Sequence, residues 1–141
     1  MKFWDSSALV PLLLDEPNSA ALRALLKSDQ DIHVWWATSL ECTSAIVRRE
    51  RHGDLDSQGV SAALQRLRFL AAGWNEVTPS EPVRTIAARL LRVHPLRVAD
   101  SLQLAAAIQV ADGRAAELPF VSLDERLNEA ADREGFPIAL S

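Results

Sequence analysis

One cysteine, Cys42, stands among the 141 residues, so no internal disulfide can form and no thiolate cluster can hold zinc. Its plain reading is a small buried residue rather than a nucleophile. The three histidines, His33, His52 and His94, are scattered and show no metal-ligand spacing such as HExxH. No apolar run approaches the roughly 20 residues that span a bilayer, so no membrane partner is expected. Met1 to Leu14 has a lysine followed by an apolar stretch, which invites a signal-peptide reading. Asp5 interrupts it, Pro11 sits inside it, and Asp15-Glu16-Pro17 stands where small cleavage-site residues belong, so that reading is rejected and a cytoplasmic protein is expected. Internal repeats, low-complexity tracts and Gly/Ser linkers are also missing, which predicts one domain over residues 1–141. The net charge of −4 argues against a bulk electrostatic binder of nucleic acid. It does not argue against a nuclease whose site is built from carboxylates, because a bound cation restores the charge locally.

What is present is an ordinary globular composition, 48% apolar and 24% charged. Short apolar runs alternate with longer helical patterns. Lys2 to Asp5, Ile32 to Trp36, Trp74 to Val77, Phe120 to Ser122 and Pro137 to Leu140 read as strands. Helices are predicted from Asn18 or Ser19 to Lys27, Thr38 to Arg51, Ser57 to Ala72, Ser80 or Pro82 to Val93, Val98 to Ala111, and Asp124 to Glu134. Apolar strands without alternation, separated by helices, imply a mainly parallel sheet covered on both faces, hence a three-layer α/β/α domain. Ligands of such sheets bind beyond the carboxyl ends of the strands.

Four acids fall at those ends. Asp5 closes the first strand, Glu41 and Asp100 lie in first helical turns, and Asp124 follows the fourth strand. Helix starts attract acids for local reasons. Thr38-x-x-Glu41 and Ser122-x-x-Glu125 are legitimate capping boxes, Asp100 could pair with Gln103, and Asp5 could simply cap. Around the helix, however, Glu41 has Ala37, Ser44, Ala45 and Arg48 as neighbours, which leaves room for something to approach it, while Leu40, Ile46 and Val47 can carry the packing. Arg48 is either a solvated arginine or a phosphate contact. Asp100 heads a helix so apolar that much of it must be buried, and a carboxylate there needs hydrogen bonds or a cation. Converging acids raise one another's pKa unless a cation intervenes. Hard divalent cations take oxygen ligands, and one or two of them activate water for phosphodiester hydrolysis without any Cys or Ser–His nucleophile.

Asp5-Ser6-Ser7-Ala8-Leu9-Val10, the Thr38-x-x-Glu41 helix start, Leu96 to Ala106 and Phe120 to Leu127 occur in the order found in PIN-domain ribonucleases. The chain resembles the VapC-type toxins of that family along essentially its whole length. The resemblance implies an endoribonuclease with Asp5 and Asp100 as principal ligands of Mg²⁺ or Mn²⁺, and Glu41 and Asp124 completing the acidic site. It implies that Ser122, with Ser7 as a second supporting hydroxyl, orients a neighbouring ligand. It also implies an RNA substrate, a cognate VapB-type antitoxin and a homodimer. Leu9 to Leu14 looks like part of the groove in which the antitoxin lays a helix, although a plain core helix explains those leucines as well. Trp4, Trp35, Trp36 and Trp74 read as core residues rather than base-stacking platforms, with one of Trp35 and Trp36 left for a dimer interface.

Other classes fit less well. A phosphotransfer receiver domain needs a late lysine, and Lys2 and Lys27 are the only lysines. A haloacid-dehalogenase phosphatase needs a second Asp where Asp5-Ser6-Ser7 has serine. A non-catalytic PIN-like binding module would be marked by loss of acids, and all four are present.

Overall fold

Phe3 and Trp4, Val34 and Trp35, and Phe120 and Val121 are neighbouring pairs that point to opposite faces of a sheet, and all six side chains are buried. Strands with no exposed face require helices on both sides. The computed structural model, which describes residues 1–140, has that arrangement. Four parallel strands, β1 (Lys2–Trp4), β2 (Ile32–Trp35), β3 (Asn75–Val77) and β4 (Phe120–Val121), lie in the order β3-β2-β1-β4. Lys2 pairs with Ile32, Phe3 with Phe120, and His33 with Asn75.

Trp4, Val34 and Val121 share one core with α1 (Ser6–Leu13), α2 (Ser19–Ser28), α3 (Thr38–Arg51) and α4 (Ser57–Gly73), through Leu9, Leu22, Ile46 and Leu67. Phe3, Trp35 and Phe120 share the other with α5 (Glu81–Val93), α6 (Val98–Ala111) and α7 (Glu125–Arg133), through Leu90, Leu104 and Leu127. The expected three-layer α/β/α architecture therefore holds. The chain leaves β1 toward β2 and β3, then returns to the other side of β1 as β4. The order reverses between β1 and β4, and the crevice at their carboxyl ends is where such a fold gathers ligands.

Several local expectations need correction. Pro137 to Leu140 is not a strand: only Ile138 bridges to Phe120. β4 is two residues long, so its outer edge offers one residue, whose amide and carbonyl are taken by Pro137 O and Ala139 N. Residues 6–13 form a helix, α1, despite Pro11 within it. Leu9, Leu13 and Leu14 are buried in the core, so of that leucine run only Leu12 lines a surface groove, beside Leu26, Phe69 and Leu70. Leu40 does not carry packing but is 64% exposed, and Trp36 is exposed while the other three tryptophans are buried.

Candidate active site

The first strand delivers Asp5 to the switch point and the fourth delivers Ser122 and Asp124 beside it. Backbone pairing fixes the register there, with the Asp5 amide donating to Val121 O at 2.9 Å. Asp5 then serves as the N-cap of α1, and Asp124 as the N-cap of α7, where its Oδ1 accepts from Leu127 N at 3.1 Å. For these two acids capping does not compete with a place at the switch point, because a cap residue already sits at the strand-to-helix corner.

Two serines tie the corners together. Ser7 Oγ donates to Asp5 Oδ2 at 2.5 Å and accepts the Leu123 amide at 2.9 Å. Ser122 Oγ donates to the same Oδ2 at 2.9 Å and accepts the Asp124 amide at 3.0 Å. Each hydroxyl has one proton, so this lattice uses both and leaves each serine satisfied. It loads a single oxygen of Asp5. The other, Oδ1, has only Ser6 Oγ at 3.5 Å, which is too long to hold it firmly.

Glu41 and Asp100 come from the first turns of α3 and α6, and Asp100 reaches back to the backbone amide of Arg97. The N-cap of α3 is Ala37 and that of α6 is Arg97, neither with a side-chain cap. Thr38 is buried and accepts from Gln103 Nε2 at 3.1 Å. The same Nε2 donates to Glu41 Oε1 at 2.7 Å. Gln103, which the sequence presents as a partner for Asp100, serves Glu41 instead. Its signal was a lone amide on the buried face of an otherwise apolar helix, since Leu104, Ala105, Ala106 and Ala107 are all buried around it. The amide oxygen has no partner, so Gln103 is held there by its donor side alone.

Electrostatically the site is an excess of negative charge. Burial pushes Asp5 above the usual carboxylate range, against its serine hydrogen bonds, and the Asp124 charge adds to the push. Burial also lifts Glu41 to about 7; Gln103 opposes this while the charges of Asp5 and Asp100 reinforce it. Asp100 is raised by burial and then by Asp124 and Asp5, with Arg97 pulling the other way. None of the four acids forms a salt bridge among the described residues, whose ion pairs all lie elsewhere. Cys42 is buried beside them, and burial with the same negative charge pushes its thiol up to about 12, which rules it out as a thiolate nucleophile. Arg48 is exposed on α3 and does not line the polar groove that Asp100 and Asp124 open onto.

Gln103→Leu is expected to raise the titration midpoint of Glu41 above about 7, because it removes the one side-chain donor that favours the charged form. Carboxyl carbon shifts followed by NMR through a pH titration would read this directly. An unchanged midpoint would mean that the amide does not act on Glu41.

A hard cation fits this donor set. Three of the four carboxylates are raised, none of the four forms a salt bridge among the described residues, and Asp5 keeps one oxygen nearly unused. Among the described residues no three acids, histidines or cysteines are already drawn together around an ion-sized space. Mg²⁺ does not require that, since it commonly takes one or two carboxylates directly and the rest through water.

Residues 2–133 match the PIN domain family. Over 139 residues the chain is 30% identical to Ribonuclease VapC47 of Mycobacterium tuberculosis (strain CDC 1551 / Oshkosh), covering 99% of this chain and 96% of that protein. Among solved structures, FitAcB from Neisseria gonorrhoeae superposes with a TM-score of 0.68 at 21% identity, covering 98% of this chain and 96% of that one. A toxin-antitoxin complex from Klebsiella pneumoniae gives 0.61 at 15% identity, covering 88% and 87%.

Proposed function

The chain belongs to the PIN-domain family, and from that premise we propose that it is a VapC-type toxin, a single-domain endoribonuclease that hydrolyses RNA phosphodiester bonds at the Asp5, Glu41, Asp100 and Asp124 cluster. The observation that carries this reading is the set of four carboxylates that form no salt bridge among the described residues, three of them raised first by burial and then by neighbouring acids. A site that costs the apoprotein so much repulsion is built for a cation.

In this reading Asp5 and Asp100 would chiefly hold Mg²⁺ or Mn²⁺, with Glu41 and Asp124 completing the acidic site. The ion would supply activation of water and charge stabilisation at the attacked phosphate and the leaving oxygen. The protein's own part is orientation. Ser7 and Ser122 fix Asp5 through Oδ2 and so present Oδ1 to the crevice. Gln103 fixes Glu41 through Oε1 and leaves Oε2 free to take a proton from water. A carboxyl that titrates near 7 is well matched to that role.

The partners follow from the same premise. RNA enters the polar groove beside Asp100 and Asp124. A VapB-type antitoxin lays an apolar helix face over Leu12, Leu26, Phe69 and Leu70, where Phe69 of α4 stands 81% exposed. A homodimer forms through the exposed Trp36 and Leu40 at the carboxyl end of the sheet. Trp36→Ser combined with Leu40→Ser is therefore expected to shift the purified protein to a monomer in analytical ultracentrifugation. A dimer that survives both changes would place the interface elsewhere.

The experiment that tests the function is incubation of total cellular RNA with the purified protein, in Mg²⁺, Mn²⁺ or EDTA. Cleavage in either metal and none in EDTA is the expected result. Intact RNA in all three, with RNA still bound to the protein, would point instead to a PIN-like binding module.

A further inference from the structure

Arg97 and Arg126 stand where helix electrostatics disfavour them. Arg97 is the N-cap of α6, and Arg126 is the second residue of α7. The N-terminus of a helix carries partial positive charge and ordinarily gathers acids, while cations belong at the other end. α6 is also left without a side-chain cap, so its first amides have no intramolecular acceptor from that source. The helix ends disfavour both arginines while the neighbouring acids favour them, as Arg97 does Asp100, and such departures from helix preference mark functional positions.

The two arginines share one groove, which also contains Asp100 and Asp124, with Glu125 on its rim. Both are exposed. The arginine ion pairs of the described residues engage Arg49, Arg84, Arg89 and Arg114 and leave Arg97 and Arg126 out. The groove therefore has two signs of charge side by side. Its carboxylates suit a cation, while its guanidinium groups and uncapped helix amides suit an anion with several oxygen acceptors. A phosphodiester chain lying across an acidic metal site meets both requirements: one phosphate at the carboxylates, its neighbours at the arginines.

We infer that Arg97 and Arg126 form a phosphate clamp that holds the backbone of the substrate strand on either side of the acidic cluster. The clamp rests on the ribonuclease reading for the identity of the strand, and on the groove alone for the identity of the ligand, a nucleic-acid phosphate. It reads backbone and not bases, so it fixes where the strand lies without choosing a sequence. Arg48, out on α3, has no share in it.

The test is binding of a non-cleavable 2′-O-methyl RNA decamer of mixed sequence, followed by fluorescence anisotropy across a range of KCl. Each phosphate contact on a single strand contributes about 0.7 to the slope of log K against log salt. Arg97→Ala with Arg126→Ala is expected to reduce the slope by about 1.4, which is about a 25-fold loss of affinity at 0.1 M salt. Arg97→Lys with Arg126→Lys should keep most of the slope, because it keeps the charge. Arg84→Ala, an exposed arginine on α5 paired with Glu81, should leave it unchanged. Circular dichroism of each variant checks that the fold is retained. A slope that stays the same in the double alanine variant, or a wild-type protein that does not bind the decamer, overturns the clamp. If the slope falls as expected while the wild type cleaves no RNA in Mg²⁺ or Mn²⁺, the clamp stands as a phosphate site and the ribonuclease reading fails.

Discussion

Asp100→Asn is expected to lower RNA cleavage by about a hundredfold to a thousandfold, and Asp5→Asn to do as much. Metal-assisted stabilisation of the attacked phosphate is worth several kcal/mol, and each 1.4 kcal/mol is about a factor of ten in rate. Asparagine matches the shape of aspartate and can still cap a helix, so α1 keeps its N-cap when Asp5 is replaced. Asp100 accepts the backbone amide of Arg97 at the head of α6, and asparagine can still accept it, so its replacement leaves α6 intact. Both changes remove a charge from a place where burial and neighbouring acids already oppose it. The metal-free variants should therefore melt no lower than the wild type, and Asp100→Asn should melt higher near pH 8. Cleavage measured beside thermal melts separates a lost ligand from a lost fold. Full activity in either variant would move the chemistry away from this cluster.

Mg²⁺ or Mn²⁺ is expected to raise the melting temperature by about 8 °C when present at a hundredfold excess over its Kd. Binding to the folded state alone is worth about 2.7 kcal/mol under that condition, and a chain of this length shifts by roughly 3 °C per kcal/mol. The effect should grow with pH, and its sign follows from the raised acids. Asp5, Glu41 and Asp100 hold protons more tightly when folded than when unfolded. The native state thus binds more protons than the unfolded state once pH passes the ordinary carboxylate range. For these groups stability of the metal-free protein then falls as pH rises, through to about 7 where Glu41 titrates. A metal that takes the charged carboxylates removes that slope. Scanning calorimetry between pH 5 and 8, with and without metal, reads both effects. Parallel pH curves for the two samples would exclude these acids as the place where the ion binds.

Much of this was legible in the sequence because the signals were local. The two long helices with clear stops, Thr38–Arg51 and Val98–Ala111, match their expected bounds to the residue. α3 gives way to Gly53, whose positive φ of 79° lets the chain turn. Asp5, Glu41 and Asp124 stood out near strand-to-helix corners and Asp100 at the head of an apolar helix, and the two-faced strands announced the layers. What the sequence hid were relations between distant elements. Gln103 looked like a helical neighbour of Asp100, and only the approach of the α3 and α6 starts at the carboxyl edge of the sheet brings its amide to Glu41. Leu40 looked like core because leucine usually is, yet it lies on the face of α3 turned outward. The final strand failed for want of a partner: Pro137 has no amide proton to offer, and β4 has one residue left to pair.

The bond from Ser122 to Asp5 spans 117 positions of chain, and β1 lies in the middle of the sheet between β2 and β4. During synthesis the first strand is made early but waits for the fourth, which emerges more than a hundred residues later. Until then Asp5 lacks the Ser122 hydroxyl, Asp124 has not been added, and the central strand has one bare edge. A chain that stops short of Phe120 therefore lacks the fourth strand, Ser122 and Asp124, and its acidic cluster stays unassembled. Competence arrives late and nearly all at once, when Phe120 to Asp124 join the first strand.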